Sequence, residues 1–220
     1  MGLLRAHSPG TEDTMLWVTR RCIRVNRTAT GWLVRRFVDP AATFRFIDPA
    51  EVAAVERSEQ AIGFDAPDAR YPHKDTLGRC SFEALVEEYR PTDRALRALA
   101  RIVHDADFPA EVRSRPVVRR LSAFDVVSLL AGPGAPADAP VAEAAGLRAI
   151  SSGFPLVSAD DHETLQRSGF LYDSLYASLG ERLALERLAV SGKRGRDSRA
   201  LSSRVSLELG SGQAPSRSLP

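Results

Sequence analysis

The chain has 220 residues, 44% of them hydrophobic, enough for one domain with a real core plus tails. Lys and Arg number 30 against 28 Asp and Glu, so the formal charge of +2 excludes a chain-wide field for duplex nucleic acid; two cysteines, Cys22 and Cys80, exclude a disulfide scaffold or a four-cysteine zinc site. No run approaches the roughly 20 apolar residues of a bilayer-spanning helix, and Met1 to Arg20 lacks the continuous apolar stretch of a secretory signal. A soluble cytoplasmic protein with reduced thiols and no membrane partner is expected.

Residues 1–14 are polar and without periodicity, and are expected to be a disordered extension, with the working start at Met15. Strand-like runs follow at Leu16 to Thr19, Thr43 to Ile47 and Ala61 to Asp65. Between and after them lie longer helical patterns. Phe82, Leu85, Val86 and Tyr89 recur at helical spacing, as do Leu96, Leu99, Ala100 and Val103, and again Tyr172, Leu175, Tyr176 and Leu179. Pro91 separates the first two of these helices into a hairpin, with Ser81 and Asp93 as expected N-caps. Val117 to Ala131 reads as a buried helix, and Gly132 to Pro140 as a linker. Ala144, Ala145 and Gly146 are small enough for another helix to approach closely. The expected fold class is α+β: a helix-rich single domain over residues 15–190 with a small β-sheet. Residues 191–220 carry six basic residues against two acidic ones among Ser and Gly, and are expected to be a disordered basic tail. Nucleic acid is not expected as a partner of the domain itself and enters only through this tail.

The segment from Asn26 to Pro40 carries the most chemistry. At about 100° per residue, Leu33, Phe37, Val34 and Val38 share one arc of a helix while Trp32, Arg35 and Arg36 share the other. Thr28 or Thr30 is the expected cap, and first-turn amides with Arg27 just upstream make an anion site suited to a tetrahedral oxyanion. Arg27, Arg35 and Arg36 are the expected anion ligands. The same pattern also fits an amphipathic helix whose arginines pair with carboxylates and stack on Trp32.

Trp17-Val18-Thr19-Arg20, then Arg27 and the run Trp32 to Pro40, resemble the opening of the C-terminal domain of ChrB-type chromate resistance proteins. The resemblance continues through Ala61 to Asp65, His73, Gly78 to Glu83, Ala100 to Val103, Ala144 to Ile150, Asp160-Asp161-His162 and Leu171 to Tyr176, and so covers roughly residues 15–180. It implies a role in chromate resistance. Longer members of the family are chromate-responsive regulators with an additional N-terminal domain, which is not expected in this chain. The family run usually reads Asp-Arg-x-x-Cys-Pro-Trp, whereas Asn26, Thr30 and Gly31 stand here in place of Asp, Cys and Pro. Residues 107–138 look longer than the family's usual connection.

His73, His104 and His162 fall within the resemblance, near Asp65, Glu83, Asp160 and Asp161; His73 and His162 are the first candidates for a divalent metal ion, the cofactor class left open. His104 flanks an apolar stripe and reads as a semi-buried histidine, and Asp160 with Glu163 reads as a helix-start capping pair. Cys80 follows Arg79 and precedes a helix start, so a depressed pKa and a reactive thiolate stand beside a buried core thiol as readings. Asp65, Cys80 and Tyr172 complete the polar candidates. The leading expectation is a domain that binds or senses a small oxyanion, chromate or sulfate-like. The alternatives are a metal- or thiol-dependent enzyme acting on a small anionic substrate, and an interaction module using the basic tail.

Overall fold

Trp17 and Val18 are both fully buried but belong to different apolar clusters, so the first strand is covered on both faces and must be central. In the computed structural model, which describes residues 14–109 and 141–190, β1 (Leu16–Arg20) lies between β2 (Thr43–Ile47) and β3 (Ile62–Gly63), all parallel. Leu16 to Arg20 align with Thr43 to Ile47, and Trp17 and Val18 with Ile62 and Gly63. Parallel neighbours need helical crossovers. These are α1 (Val25–Leu33), which continues as a π-helical turn over Val34–Val38, and α2 (Val52–Glu59), which the sequence reading did not anticipate. The expected third strand stops early because the backbone turns left-handed at Asp65. Phe64 still bridges Tyr71.

The hairpin of α3 (Ser81–Tyr89) and α4 (Arg94–Asp107) forms as expected, with the Leu96 amide donating to Asp93 at 2.9 Å. The α3 cap is Cys80 rather than Ser81, whose buried hydroxyl is instead turned to Asn26. α5 (Ala142–Val157) buries Ala144 and Leu147, but Ala145 and Gly146 face outward, so the small-residue contact expected there is confined to Ala144. α6 (Asp161–Val190) begins as its acids suggest: the Glu163 amide donates to Asp160 at 2.8 Å.

Helix α6 lays Leu165, Tyr172 and Leu179, seven residues apart, into the core. Tyr172 pins it to α1. Its hydroxyl donates to the Val25 carbonyl at 2.9 Å and pairs with the Thr28 hydroxyl at 2.7 Å. A Cβ at Gly31 would meet Leu165 at 2.6 Å, which is why the two helices can approach so closely there. Trp32 is consequently 5% exposed, not on a solvent-facing arc as the helical wheel suggests, because α6 covers that side of α1.

The fold is α+β and helix-rich, with one small sheet. Among the described residues no helix is long and apolar enough to cross a membrane. The expectations for residues 1–13, for the helix at 117–131, for the linker at 132–140 and for the tail at 191–220 lie outside the described residues.

Candidate functional site

Strands β1 and β3 run side by side, so Arg20 and Asp65 emerge at one carboxyl edge, the place where open parallel sheets receive ligands. Asp65 has φ 50°, a left-handed conformation that aspartate tolerates better than most residues, and it is 1% exposed. Its Oδ1 accepts from Asn26 Nδ2 at 2.7 Å and meets His73 Nδ1 at 2.6 Å. Its Oδ2 accepts from Arg27 Nη1 at 2.8 Å and Arg20 Nη2 at 3.1 Å, while Arg20 Nε donates to the Asp65 carbonyl at 2.7 Å. Two guanidiniums and one imidazole thus converge on one carboxylate.

Asp107, the last residue of α4, completes the group: its Oδ2 is 3.6 Å from His73 Nδ1, and among the described residues it has no hydrogen-bond partner. Burial, reinforced by the negative charge of Asp65, pushes the Asp107 carboxyl up to about 6. Burial acts the same way on Asp65, but the hydrogen bond from His73 and the charges of Arg27 and Arg20 outweigh it and hold that carboxyl below the usual range. The hydrogen bond to Asp65 holds the His73 pKa above its ordinary value against the effect of burial. Arg20 and His73 side chains are 30% and 41% exposed, so solvent reaches the cationic edge.

A second polar group abuts the first across the Phe108 ring, which lies 4.8 Å from the His73 ring and 5.0 Å from that of His104. Here the Cys80 amide donates to Glu83 Oε2 at 2.8 Å, and the same oxygen meets His104 Nδ1 at 2.7 Å. Cys80 is fully buried. Burial, followed by the charge of Glu83, pushes its thiol well above the ordinary cysteine value, and Arg79 is engaged with Asp75 at 2.8 Å. The depressed pKa considered for Cys80 is therefore not found: desolvation outweighs the helix end, and the neighbouring cation is committed elsewhere. In native protein the exposed Cys22 should react with iodoacetamide and Cys80 only after unfolding, a contrast readable by mass spectrometry. Fast native labelling of Cys80 would contradict its burial.

The other sequence candidates are dispersed. Arg35 lies over the Phe44 ring at 4.9 Å, and Arg36 is 3.6 Å from Asp173, which also accepts from Trp32 Nε1 at 3.0 Å. These contacts lie apart from those of Arg27, which reaches Asp65 and the Cys22 carbonyl. His162 packs edge-on against Phe46 with ring centroids 4.9 Å apart and does not join His73. Tyr172 holds helices together, as described. The expected cap positions Thr28 and Thr30 are buried inside α1, which begins at Val25, and the amides of Cys22 and Ile23 just ahead of that helix each donate to Asp161 at 2.9 Å. That stretch of backbone already has its anion.

Arg20, Asn26 and Asp107 were not among the sequence-derived site residues, and Glu83 entered only as one of the acids near the histidines. Asp107 carried one readable signal, an acid in the last turn of a helix, where the dipole disfavours negative charge. Among the described residues two groups have donor atoms close enough for one cation: Asp65, His73 and Asp107, and Cys80, Glu83 and His104. In the first, the guanidiniums of Arg20 and Arg27 already neutralise Asp65 and oppose a further positive charge.

Residues 17–130 match the family described as ChrB, C-terminal domain. The chain is 29% identical over 177 residues to Protein ChrB of Cupriavidus metallidurans; the match covers 80% of this chain and 44% of that relative, so the chain spans less than half of the curated protein it resembles. No solved structure matches it. With the family pattern extending over more than half of its length, this chain belongs to the ChrB C-terminal domain family of chromate resistance proteins.

Proposed function

We propose that this domain serves chromate resistance by binding a tetrahedral oxyanion, chromate or a sulfate-like ion, at the carboxyl edge of β1 and β3. The observation that carries the reading is the convergence of Arg20, Arg27 and His73 on the single carboxylate of Asp65, with Arg20 and His73 open to solvent. Arg27 stays in the proposal; Arg20 and His73 replace Arg35 and Arg36, whose partners lie elsewhere. Asp65 orients the guanidiniums, and an arriving oxyanion takes their outward N–H groups. Asp107 changes from a repelling carboxylate to a donor as pH falls through about 6, so anion affinity rises toward that pH.

Calorimetric titration of the full chain with chromate and with sulfate tests this. Arg20→Ala should weaken binding by roughly ten- to a hundredfold, the worth of one or so charged hydrogen bonds, while Arg35→Ala and Arg36→Ala leave it within about twofold. Equal affinity in wild type and Arg20→Ala, or loss confined to the Arg35 and Arg36 variants, would refute the placement.

A further inference from the structure

The second polar group carries a chemistry that the anion reading does not use. Cys80 is the N-cap of α3, a position where Ser, Thr, Asp or Asn is the stronger acceptor, since a thiol sulfur bonds amides only weakly. The sulfur nevertheless faces the Glu83 amide, and Glu83 returns its carboxylate to the Cys80 amide and to His104. One sulfur, one nitrogen and one carboxylate oxygen therefore lie within 4.8 Å of one another. Unlike the Asp65 group, none of these three residues forms an ion pair with an arginine among the described residues; Glu83 pairs with His104, and Arg79 with Asp75. The cap of α3 is weaker for having sulfur, and the donor set is richer.

We propose that Cys80, Glu83 and His104 bind a divalent cation of the zinc type, with a fourth coordination position left for water or another small ligand. Sulfur, imidazole and carboxylate together select zinc over magnesium or calcium, which prefer oxygen alone. Binding is an acid-base exchange without redox change: the S–H bond breaks and its proton leaves to solvent, the proton held between His104 Nδ1 and Glu83 moves to His104 Nε2 or to solvent, and sulfur, nitrogen and carboxylate oxygen bond to the cation. The thiolate and the Glu83 carboxylate also sit at the N-terminal end of α3, where its dipole favours negative ligands. Glu83 and His104 side chains are 25% and 10% exposed, which gives a small ion its approach. The proposal is independent of the oxyanion site, since it uses none of Arg20, Arg27, Asp65 or His73.

The test is titration of the full chain, thiols reduced, with cobalt(II) as a spectroscopic substitute and zinc as competitor. One equivalent of cobalt should give a thiolate-to-cobalt charge-transfer absorption together with tetrahedral d–d bands, both abolished by one equivalent of zinc. Cys22→Ser should retain these bands, and Cys80→Ser should lose the charge-transfer band. Glu83→Gln preserves a side chain able to cap α3, so its fold should survive by circular dichroism; with a ligand removed, its zinc affinity should fall by roughly 100-fold or more, beyond what is typical for lost outer-shell contacts. Absence of the charge-transfer band in wild type, its survival in Cys80→Ser, or unchanged zinc affinity in folded Glu83→Gln would each overturn the assignment.

Discussion

Asp65→Ala should lower the free energy of unfolding by about 3–5 kcal/mol, the usual cost of removing one partner from a buried ionic group. The carboxylate is 1% exposed and Arg27, one of its partners, has a side chain only 12% exposed, so the substitution strands a desolvated guanidinium as well as Asn26 and His73. Urea unfolding at neutral pH reads the effect as a lowered midpoint with little change in slope. The sign with pH follows from the direction of the shift. Asp65 is held below its unfolded pKa in the native protein, so its contribution is complete above roughly pH 4 and disappears as pH falls through the folded value. The alanine variant should lack that part of the acid limb. A change under about 1 kcal/mol would mean that water, not Asp65, satisfies the arginines.

Asp107→Asn should do the opposite and stabilise the protein at neutral pH. Its carboxyl is raised to about 6 in the fold, above the ordinary carboxylate value, so the native state keeps a proton that the unfolded chain has already released. Stability contributed by this group is therefore full at low pH and declines as pH rises from about 4 to about 6, reaching a penalty on the order of 3 kcal/mol at most. Asparagine cannot ionise, so the gain should appear above pH 6 and vanish near pH 4. Thermal or urea unfolding across that range measures it. A variant destabilised at pH 7 would show that the ionised form is favourably paired.

The two predictions bear on why a fold would keep Asp107 at all. A carboxylate at a helix C-terminus, half facing another carboxylate, costs stability, and such violations gather where function needs them. Asn26, a partner of Asp65, shows the same logic from the other side: the sequence resemblance implies an aspartate at this position, but in this chain the amide Nδ2 donates to Asp65 at 2.7 Å. A carboxylate at that distance would repel Asp65 unless one of the pair held a proton or a cation.

Local patterns in the sequence reached the strands, the α3–α4 hairpin and the α6 stripe, because period-two and period-3.6 burial leave direct marks on composition. They failed where a neighbouring element decides the environment. Trp32 reads as polar-arc on a wheel but is covered by α6, more than a hundred residues away in sequence. For Cys80 the sequence left a reactive thiolate and a buried core thiol open, and the fold decides for the second: Asp75 takes Arg79 and the core takes the thiol. Arg20 could not be read as a site member from sequence, and Asp107 only through its place at a helix end, since their meeting depends on the parallel register of β1 with β3 and on where α4 ends. Arg27, Asp65 and His73 were the candidates that the fold brought into direct contact, Arg27 and His73 both meeting the Asp65 carboxylate.

The most direct test of the anion site is a crystal of the full chain grown with chromate, with anomalous diffraction collected at the chromium absorption edge. The expected result is one chromium peak at the carboxyl edge of the sheet, its oxygens within about 3 Å of Arg20 and His73 nitrogens. A peak beside Arg35 and Arg36, or none at an anion concentration that saturates binding in solution, would contradict it.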